Sequence, residues 1–166
     1  FYSITKKCAE DLLISFCNTY QLKYRILRLC NVLGSGDLGV SNKKNAITWM
    51  INKLKHNDSI NLYDQGTPIR DIMHVSDVCD AISLVCSIGK TNDIYNIGSG
   101  IPTSIGFIVE EAIKITSSCS PINYVEPTRF HQIVQSKDFW MNIEKLQSLG
   151  FSPKYSIQSI ISELCS

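Results

Sequence analysis

The residues best suited to chemistry in this sequence are Tyr2 and Lys6, which stand four positions apart at the start of an amphipathic segment. In an α-helix, residues at i and i+4 lie on one face, about one turn apart. A lysine ammonium beside a phenol favours the phenolate, and lowering a tyrosine pKa from ~10 to ~7 takes roughly 4 kcal/mol. A phenol tuned in this way can exchange a proton with a substrate hydroxyl. The alternative is that both residues simply begin a surface helix.

The segment that follows this pair predicts the helix that must position it. Apolar residues recur at helical spacing at Ala9, Leu12, Leu13, Phe16, Cys17 and Tyr20. Tyr2 and Lys6 share the face of Ala9, Leu13 and Phe16, so we expect the pair at the start of a buried stripe. A strand over 24–30 and a glycine-rich loop over 31–37 come next. Because ligands of open α/β sheets bind beyond the carboxyl ends of strands, this loop is a candidate ligand site.

The rest of the chain continues the alternation of helices and strands. Patterns typical of strands cover 60–63, 70–75, 94–97 and 122–125, and patterns typical of helices cover 46–55, 142–149 and 157–164. Two further helices are expected after caps at Ser76 or Asp77 and at Thr103 or Ser104. This order predicts an α/β fold.

Composition narrows the classes of partner and site. The 166 residues carry a net charge of +1, with 44 % hydrophobic and 19 % charged residues, which is an ordinary globular balance. The charge gives no field that would attract nucleic acid or an acidic membrane, and no apolar run is long enough to span a bilayer. Seven cysteines, an odd number without any Cys-x-x-Cys pair, predict free thiols in a reducing cytoplasm rather than disulfides or a metal site. We therefore expect a cytoplasmic protein with no metal.

Five motifs stand in a fixed order along the chain. They are Tyr2-Ser-Ile-Thr-Lys6, Arg28-Leu-Cys-Asn31-Val-Leu-Gly34, Arg70-Asp71-Ile-Met-His74-Val-Ser-Asp77, Tyr95-Asn96-Ile-Gly98-Ser-Gly100 and the segment 138–153. Together they resemble the extended short-chain dehydrogenase/reductase family, which includes the NAD-dependent nucleotide-sugar epimerases, 4,6-dehydratases and decarboxylases. The resemblance covers almost the whole chain.

The resemblance implies the C-terminal part of a Rossmann-like doubly wound sheet plus a small α/β substrate-binding domain. Residues 1–36 would be the end of the NAD(P)-binding Rossmann domain, comprising the catalytic helix and the following strand. Residues 37–166 would be mainly the substrate-binding domain, with some elements returning to the Rossmann sheet. The family's glycine-rich dinucleotide loop and its catalytic Ser or Thr would precede Tyr2 and are not in this sequence. We therefore expect a C-terminal portion that is inactive alone and binds NAD weakly.

The resemblance also implies an activity and its partners. It favours a UDP-glucose 4-epimerase-like enzyme that uses NAD (or NADP) to oxidise C4 of a nucleoside-diphosphate sugar through a 4-keto intermediate. A 4,6-dehydratase or decarboxylase of the same family stays open, and so does a non-catalytic nucleotide-sugar-binding fragment. The full-length enzyme would be a homodimer.

Site residues follow from the same resemblance, motif by motif. Tyr2 would be the catalytic acid/base, Lys6 would hold the nicotinamide ribose, and the backbone at Leu29 and Cys30 would pass close to the nicotinamide. The substrate contacts would be Asn31, Asn45, Leu62, Tyr63 and Arg70, with Arg129 as a second phosphate clamp. A planar guanidinium can bind a diphosphate bidentately. For Arg70 and Asp71 a surface ion pair is the alternative.

Overall fold

The computed structural model describes residues 1–36, 45–134 and 138–166, and its secondary structure confirms the predicted α/β class. The helices are α1 (Tyr2–Thr19), α2 (Ala46–Lys55), α3 (Val75–Ile88), α4 (Ile105–Thr116), α5 (Arg129–Val134), α6 (Glu144–Gln147) and α7 (Ile157–Cys165). The strands are β1 (Arg25–Leu29), β2 (Asn31–Leu33), β3 (Ile60–Tyr63), β4 (Ile69–Arg70), β5 (Ile72–His74), β6 (Asp93–Ile97), β7 (Thr103–Ser104) and β8 (Ile122–Val125). The predicted bounds of α2, β3 and β8 agree with the structure at both ends.

The first two strands form one extended run that changes its partner at Cys30. β1 pairs in parallel with β6, and β2 pairs in parallel with β5. The N–H of Cys30 donates to the carbonyl of Ile97 at 2.9 Å, and the next N–H, of Asn31, donates to the carbonyl of Asp71 at 3.1 Å. The prediction of a loop from residue 31 is therefore wrong, because pairing with β5 keeps the chain extended to Leu33. Asp37, the last residue of that predicted loop, lies outside the described residues.

The remaining strands form two further pairs beside this run. β3 is parallel to β8, and β4 is antiparallel to β7. A short 3-10 turn, Asp64–Gly66, joins β3 to the segment that leads into β4. The single strand predicted over 70–75 is wrong, because Asp71 separates β4 from β5 and Val75 already begins α3.

Two hydrophobic cores meet at β5. One core packs α2, β3, α4 and α7 together and includes Leu33 and Ile72. The other packs α3, β6 and residues 141–151 together and includes Met73. Successive side chains of a strand point to opposite faces, so Ile72 and Met73 enter different cores. β5 therefore lies between the two cores and contributes side chains to both.

Helix α1 is held at its middle and near its C-terminal end, and its apolar face is exposed. Cys17 is buried, and Arg28 of β1 forms a two-bond ion pair with Glu10 at 2.8 and 2.6 Å. Leu12 is 73 % exposed and Phe16 is 52 % exposed. The prediction of a buried stripe is wrong for the described chain, because none of its elements covers this face.

His74 links the start of α3 to the C-terminal helix. Its Nδ1 accepts the N–H of Ser76 at 3.2 Å, so His74 caps α3 in place of the predicted Ser76 or Asp77. The ring then carries its proton on Nε2, which donates to Glu163 Oε2 at 3.0 Å. Glu163 Oε1 accepts the N–H of Ser35 at 2.8 Å, and Tyr155 stacks on the His74 ring at 3.8 Å. Glu163 therefore ties α7 to β5 and to the chain after β2.

These contacts predict a pH dependence of stability. The pKa of the Glu163 carboxyl is lowered from its ordinary value, chiefly because the backbone N–H of Ser35 donates to the ionised form. A carboxylate with a lowered folded-state pKa stabilises the fold above its unfolded pKa, about 4.3, and this contribution is lost as the pH falls through the folded pKa. As the pH is lowered from about 5 to about 3, we expect the free energy of unfolding to fall less steeply in Glu163→Gln than in the wild type. Urea unfolding across that range measures it. The exposed Glu110→Gln is the control, and equal slopes for Glu163→Gln and the wild type would contradict the assignment.

Candidate functional site

A cavity of about 430 Å³ lies between the first core and the chain that leads into β4. This volume is within the ~300–1,000 Å³ range of small-molecule sites. The predicted substrate contacts that line it are Asn31, Asn45, Leu62, Tyr63 and Arg70. These five residues come from four separate segments of the sequence, and the fold brings them together.

Asn31 presents its amide to the cavity in a fixed orientation. Its Nδ2 donates to the carbonyl of Asp71 at 3.1 Å, and its backbone N–H donates to the same carbonyl at 3.1 Å. The amide nitrogen is thereby engaged with the backbone between β4 and β5. The side-chain oxygen remains as the acceptor that a ligand hydroxyl could use.

Arg70 supplies positive charge to the same cavity. It is half-buried in β4, and its Nη1 donates to the carbonyl of Ile69 at 2.7 Å. Burial lowers the pKa of Arg70, while the nearby carboxylate of Asp138 acts in the opposite direction. A guanidinium nevertheless stays charged in proteins, and its planar fork matches phosphate oxygens. Arg70 is therefore suited to bind an anion in this cavity.

The start of α2 forms another wall. Asn45 precedes the helix with a left-handed backbone, φ 56° and ψ 63°, a conformation that asparagine tolerates better than most residues. Trp49 lies four positions later, on the same helical face, and also lines the cavity. Sequence reasoning missed Trp49, although its spacing from Asn45 was the signal that could have found it. Its half-buried ring gives the cavity an aromatic surface.

Asp71 follows Arg70 in the sequence, and its buried environment could not be predicted from the sequence. It is fully buried, so the alternative of a surface ion pair with Arg70 is wrong. Its carboxylate accepts the N–H and the hydroxyl of Ser99 at 2.8 and 2.7 Å, and the N–H groups of Gly100 and Met141 at 3.1 Å each. The glycine turn after β6 therefore wraps an internal carboxylate.

The predicted catalytic pair lies apart from the cavity lining. Tyr2 and Lys6 occupy the first turns of α1, with Lys6 Nζ 5.5 Å from the centre of the Tyr2 ring. The i, i+4 spacing therefore does place the ammonium beside the phenol. The Tyr2 side chain is 73 % exposed, and neither residue lines the 430 Å³ cavity.

The two residues predicted beside the nicotinamide lie at the partner change of the first strand run. Leu29 is exposed at the end of β1, and Cys30 is partly buried. Burial, together with the nearby charge of Asp71, raises the pKa of the Cys30 thiol to about 12. Since the thiolate is the reactive form, the raised thiol pKa makes Cys30 a poor nucleophile at neutral pH.

Arg129 is placed outside the cavity lining. It is exposed at the start of α5, and its role as a second phosphate clamp stays a prediction. A larger open groove of about 730 Å³ between residues 99–101 and 140–156 contains none of the predicted site residues. Across 1–36, 45–134 and 138–166, no helix is long and apolar enough to cross a membrane, and no group of three His, Cys, Asp or Glu side chains is placed to hold a metal.

Comparison with known proteins supplies the context of this geometry. The sequence profile of the NAD dependent epimerase/dehydratase family matches residues 1–98. Low-salt glycan biosynthesis protein Agl12 of Haloferax volcanii is 27 % identical over 158 residues, which are 95 % of this chain and 48 % of that protein. Human dTDP-D-glucose 4,6-dehydratase is 28 % identical over 157 residues, 92 % of this chain and 43 % of that protein. The chain thus spans about half the length of the curated relatives it matches.

Solved structures agree on the fold. A UDP-glucose 4-epimerase of Thermotoga maritima, solved with UDP-glucose, superposes with a TM-score of 0.88 at 24 % identity, covering 99 % of this chain and 52 % of that one. A dTDP-glucose 4,6-dehydratase of Bacillus anthracis, solved with NAD, gives a TM-score of 0.84 at 26 % identity, covering 99 % and 50 %. The architecture is therefore that of the Rossmann-like epimerases and dehydratases.

Proposed function

Because this chain belongs to the NAD dependent epimerase/dehydratase family, we propose that its 430 Å³ cavity binds the nucleoside diphosphate of a nucleotide sugar. The observation that carries this proposal is the convergence of Asn31, Asn45, Leu62, Tyr63 and Arg70 on one cavity. Their types suit the ligand, since a guanidinium, two amides and a strand backbone complement phosphates, hydroxyls and a base.

Each part of the ligand has a partner in this arrangement. Arg70 binds the diphosphate, and the free side-chain oxygen of Asn31 accepts a hydroxyl of the sugar. The base lies along the backbone of Leu62 and Tyr63, with Asn45 at the head of α2 as a further polar contact. The names of two similar proteins, a UDP-glucose 4-epimerase and a dTDP-D-glucose 4,6-dehydratase, make UDP-glucose and dTDP-glucose the first ligands to test.

We further propose an NAD (or NADP) dependent 4-epimerase, in which Tyr2 takes the proton of the sugar C4 hydroxyl. The adjacent exposed side chains of Tyr2 and Lys6 fit this role, because one can hold a proton and the other can donate to ribose hydroxyls. The cofactor, when bound, supplies the acceptor for the C4 hydride and yields a 4-keto sugar. A 4,6-dehydratase or decarboxylase would use the same first step.

The wider organisation is part of the same proposal. The catalytic pair would act with a dinucleotide-binding half of the enzyme, in a cytoplasmic homodimer. Residues 1–36 would then close the Rossmann domain, and 37–166 would supply mainly the substrate domain. One observation favours a second candidate, a non-catalytic nucleotide-sugar-binding fragment: every residue that lines the cavity lies between Asn31 and Ile105, and none belongs to α1.

Substitution of Arg70 tests the binding proposal. Hydrogen bonds to charged groups contribute about 1.5–3 kcal/mol, so Arg70→Ala is expected to raise the Kd for UDP about 10–100-fold. Arg70→Lys keeps the charge but loses the bidentate fork, and an intermediate Kd is expected. Isothermal titration calorimetry with UDP and dTDP measures both effects. Lys23→Ala, an exposed cation after α1, is the control, and an unchanged Kd in Arg70→Ala would refute the assignment.

The same titration examines Arg129. If Arg129 is a second clamp, Arg129→Ala raises the Kd for UDP; if its Kd equals that of Lys23→Ala, Arg129 has no part in binding. UDP binding with no turnover of UDP-glucose or dTDP-glucose in the presence of NAD, by the protein expressed as its gene encodes it, would favour the non-catalytic candidate.

A further inference from the structure

We propose that Asp71 is a positioning residue, which fixes Asn31 and Arg70 in the cavity without itself lining it. This inference rests on the proposed function, because it concerns the site assigned there to the diphosphate and the sugar. Asp71 separates β4 from β5, directly after Arg70. The cavity lining contains Arg70 and Asn31 and does not contain Asp71.

The Asp71 side chain is anchored on the side away from the cavity. Four donors converge on its two oxygens: the N–H and hydroxyl of Ser99 on Oδ1, and the N–H groups of Gly100 and Met141 on Oδ2. The residue is fully buried, so these bonds do not compete with water. Gly98 permits this approach, because a Cβ there would lie 2.6 Å from Asp71 Oδ2.

The Asp71 backbone acts on the cavity side. Its single carbonyl accepts both the backbone N–H and the Nδ2 of Asn31, each at 3.1 Å. These two bonds fix both the position of β2 beside β5 and the orientation of the Asn31 side-chain amide. Because Arg70 is the preceding residue, fixing Asp71 also fixes the point from which the guanidinium extends. The side chain and the backbone of Asp71 thus connect the glycine turn after β6 to Asn31 and Arg70, the two residues proposed to bind the ligand.

The requirement for a carboxylate is specific. All four partners are donors, and Asp71 offers acceptors only. An asparagine in its place would turn an NH₂ group toward N–H donors at one of the two oxygens, which leaves buried donors unpaired. Asp71→Asn therefore loosens the anchor while keeping the size of the side chain.

Asp77 provides a matched control within the same chain. It is also buried, and its carboxylate accepts the backbone N–H groups of Lys154 at 3.1 Å and Tyr155 at 3.0 Å. Like Asp71, it holds a loop through backbone amides. Neither Asp77 nor the two residues it binds line the 430 Å³ cavity. A merely structural role would make the two aspartates equivalent.

The test compares Asp71→Asn with Asp77→Asn in three measurements. Both variants are expected to lower Tm by about 4–10 °C, as the loss of buried hydrogen bonds requires. Only Asp71→Asn should accelerate hydrogen exchange of the Asn31 backbone amide and shift its side-chain NH₂ resonances in ¹⁵N NMR spectra. Only Asp71→Asn should raise the Kd for UDP, by about five- to tenfold. In an Asn31→Ala background that increase should shrink, while the Tm change persists.

Several results would overturn the inference. If Asp77→Asn raises the Kd for UDP as much as Asp71→Asn does, the loss of affinity is due to general destabilisation. If hydrogen exchange of the Asn31 amide is unchanged in Asp71→Asn, Asp71 does not act through its hydrogen bonds to Asn31. If wild-type protein binds neither UDP nor dTDP, the proposed function fails, and Asn31 exchange still decides the positioning role. Should Asp71→Asn not fold, Ser99→Ala removes one donor only. It must then show the same Asn31 changes at smaller size, and their absence overturns the proposal.

Discussion

Replacing Tyr2 by phenylalanine is expected to lower kcat for the proposed nucleotide-sugar reaction by about 10²–10⁴-fold, the usual contribution of general acid–base catalysis. The ring keeps its size and loses only the group that carries the proton. Tyr2 does not line the 430 Å³ cavity, so the Kd for UDP should stay unchanged. The measurement is kcat with NAD and UDP-glucose or dTDP-glucose, in the protein expressed as its gene encodes it.

A second tyrosine on the same helix is the control for this experiment. Tyr20 follows the last turn of α1 and is exposed, as Tyr2 is. Tyr20→Phe removes the same hydroxyl just after the last turn of α1, at the other end of the helix from Lys6, and its kcat should equal that of the wild type. Equal rates for Tyr2→Phe and Tyr20→Phe would exclude Tyr2 from the proposed reaction and leave only the proposed binding function of the cavity.

A large loss of stability from a single methyl group is expected at Gly66→Ala. Gly66 has φ +78°, where a side chain costs about 1–2 kcal/mol. Its new Cβ would also lie 2.7 Å from Gly106 Cα and 2.8 Å from Leu62 Cδ2, and such overpacking costs about 1–3 kcal/mol. We expect the free energy of unfolding to fall by about 3 kcal/mol, measured by urea unfolding at neutral pH.

Gly106, which lies on the other side of the Gly66 contact, provides the matched variant Gly106→Ala. A Cβ on Gly106 would lie 3.3 Å from the carbonyl oxygen of Gly66, and Gly106 has ordinary helical surroundings in α4. Gly106 lies in the first turn of α4, where alanine gains at most about 1 kcal/mol of helix propensity over glycine, and this gain opposes the cost of the closer contact. Gly106→Ala should therefore change stability by less than about 1 kcal/mol. Similar losses at both glycines would show that crowding alone, rather than the left-handed backbone, sets the cost at Gly66.

The sequence predicted those parts of the fold that depend on local patterns. Ala46–Lys55 was found because its apolar residues recur at helical spacing, and Ile60–Tyr63 because turn residues follow it. Six substrate contacts were predicted by motif resemblance, and five of them line one cavity. Local periodicity was therefore sufficient for most of the helices and strands, while the binding role of the cavity residues stays a prediction.

What the sequence could not predict depends on distant partners. Asn31–Leu33 looked like the start of a loop, and it is a strand only because β5, some 40 residues later, pairs with it. For Asp71 a surface ion pair with Arg70 stayed open as the alternative, because nothing local reveals the amides of Ser99, Gly100 and Met141. The stripe on α1 was recognised as apolar, yet periodicity identifies a face without identifying what covers it.

The parallel strand pairs have a consequence for how this protein is made. Arg25 pairs with Asp93, 68 positions later, and Ile60 with Ile122, 62 positions later. Contacts at such separation form slowly, because a long loop must close before any contact compensates for the lost chain entropy. On a ribosome that adds about 5–20 residues per second, β1 waits about 3–14 s for its partner to be synthesised. Throughout that interval Ile26, which is buried in the folded chain, is exposed beside an unpaired strand edge, and such an edge favours aggregation of the nascent chain.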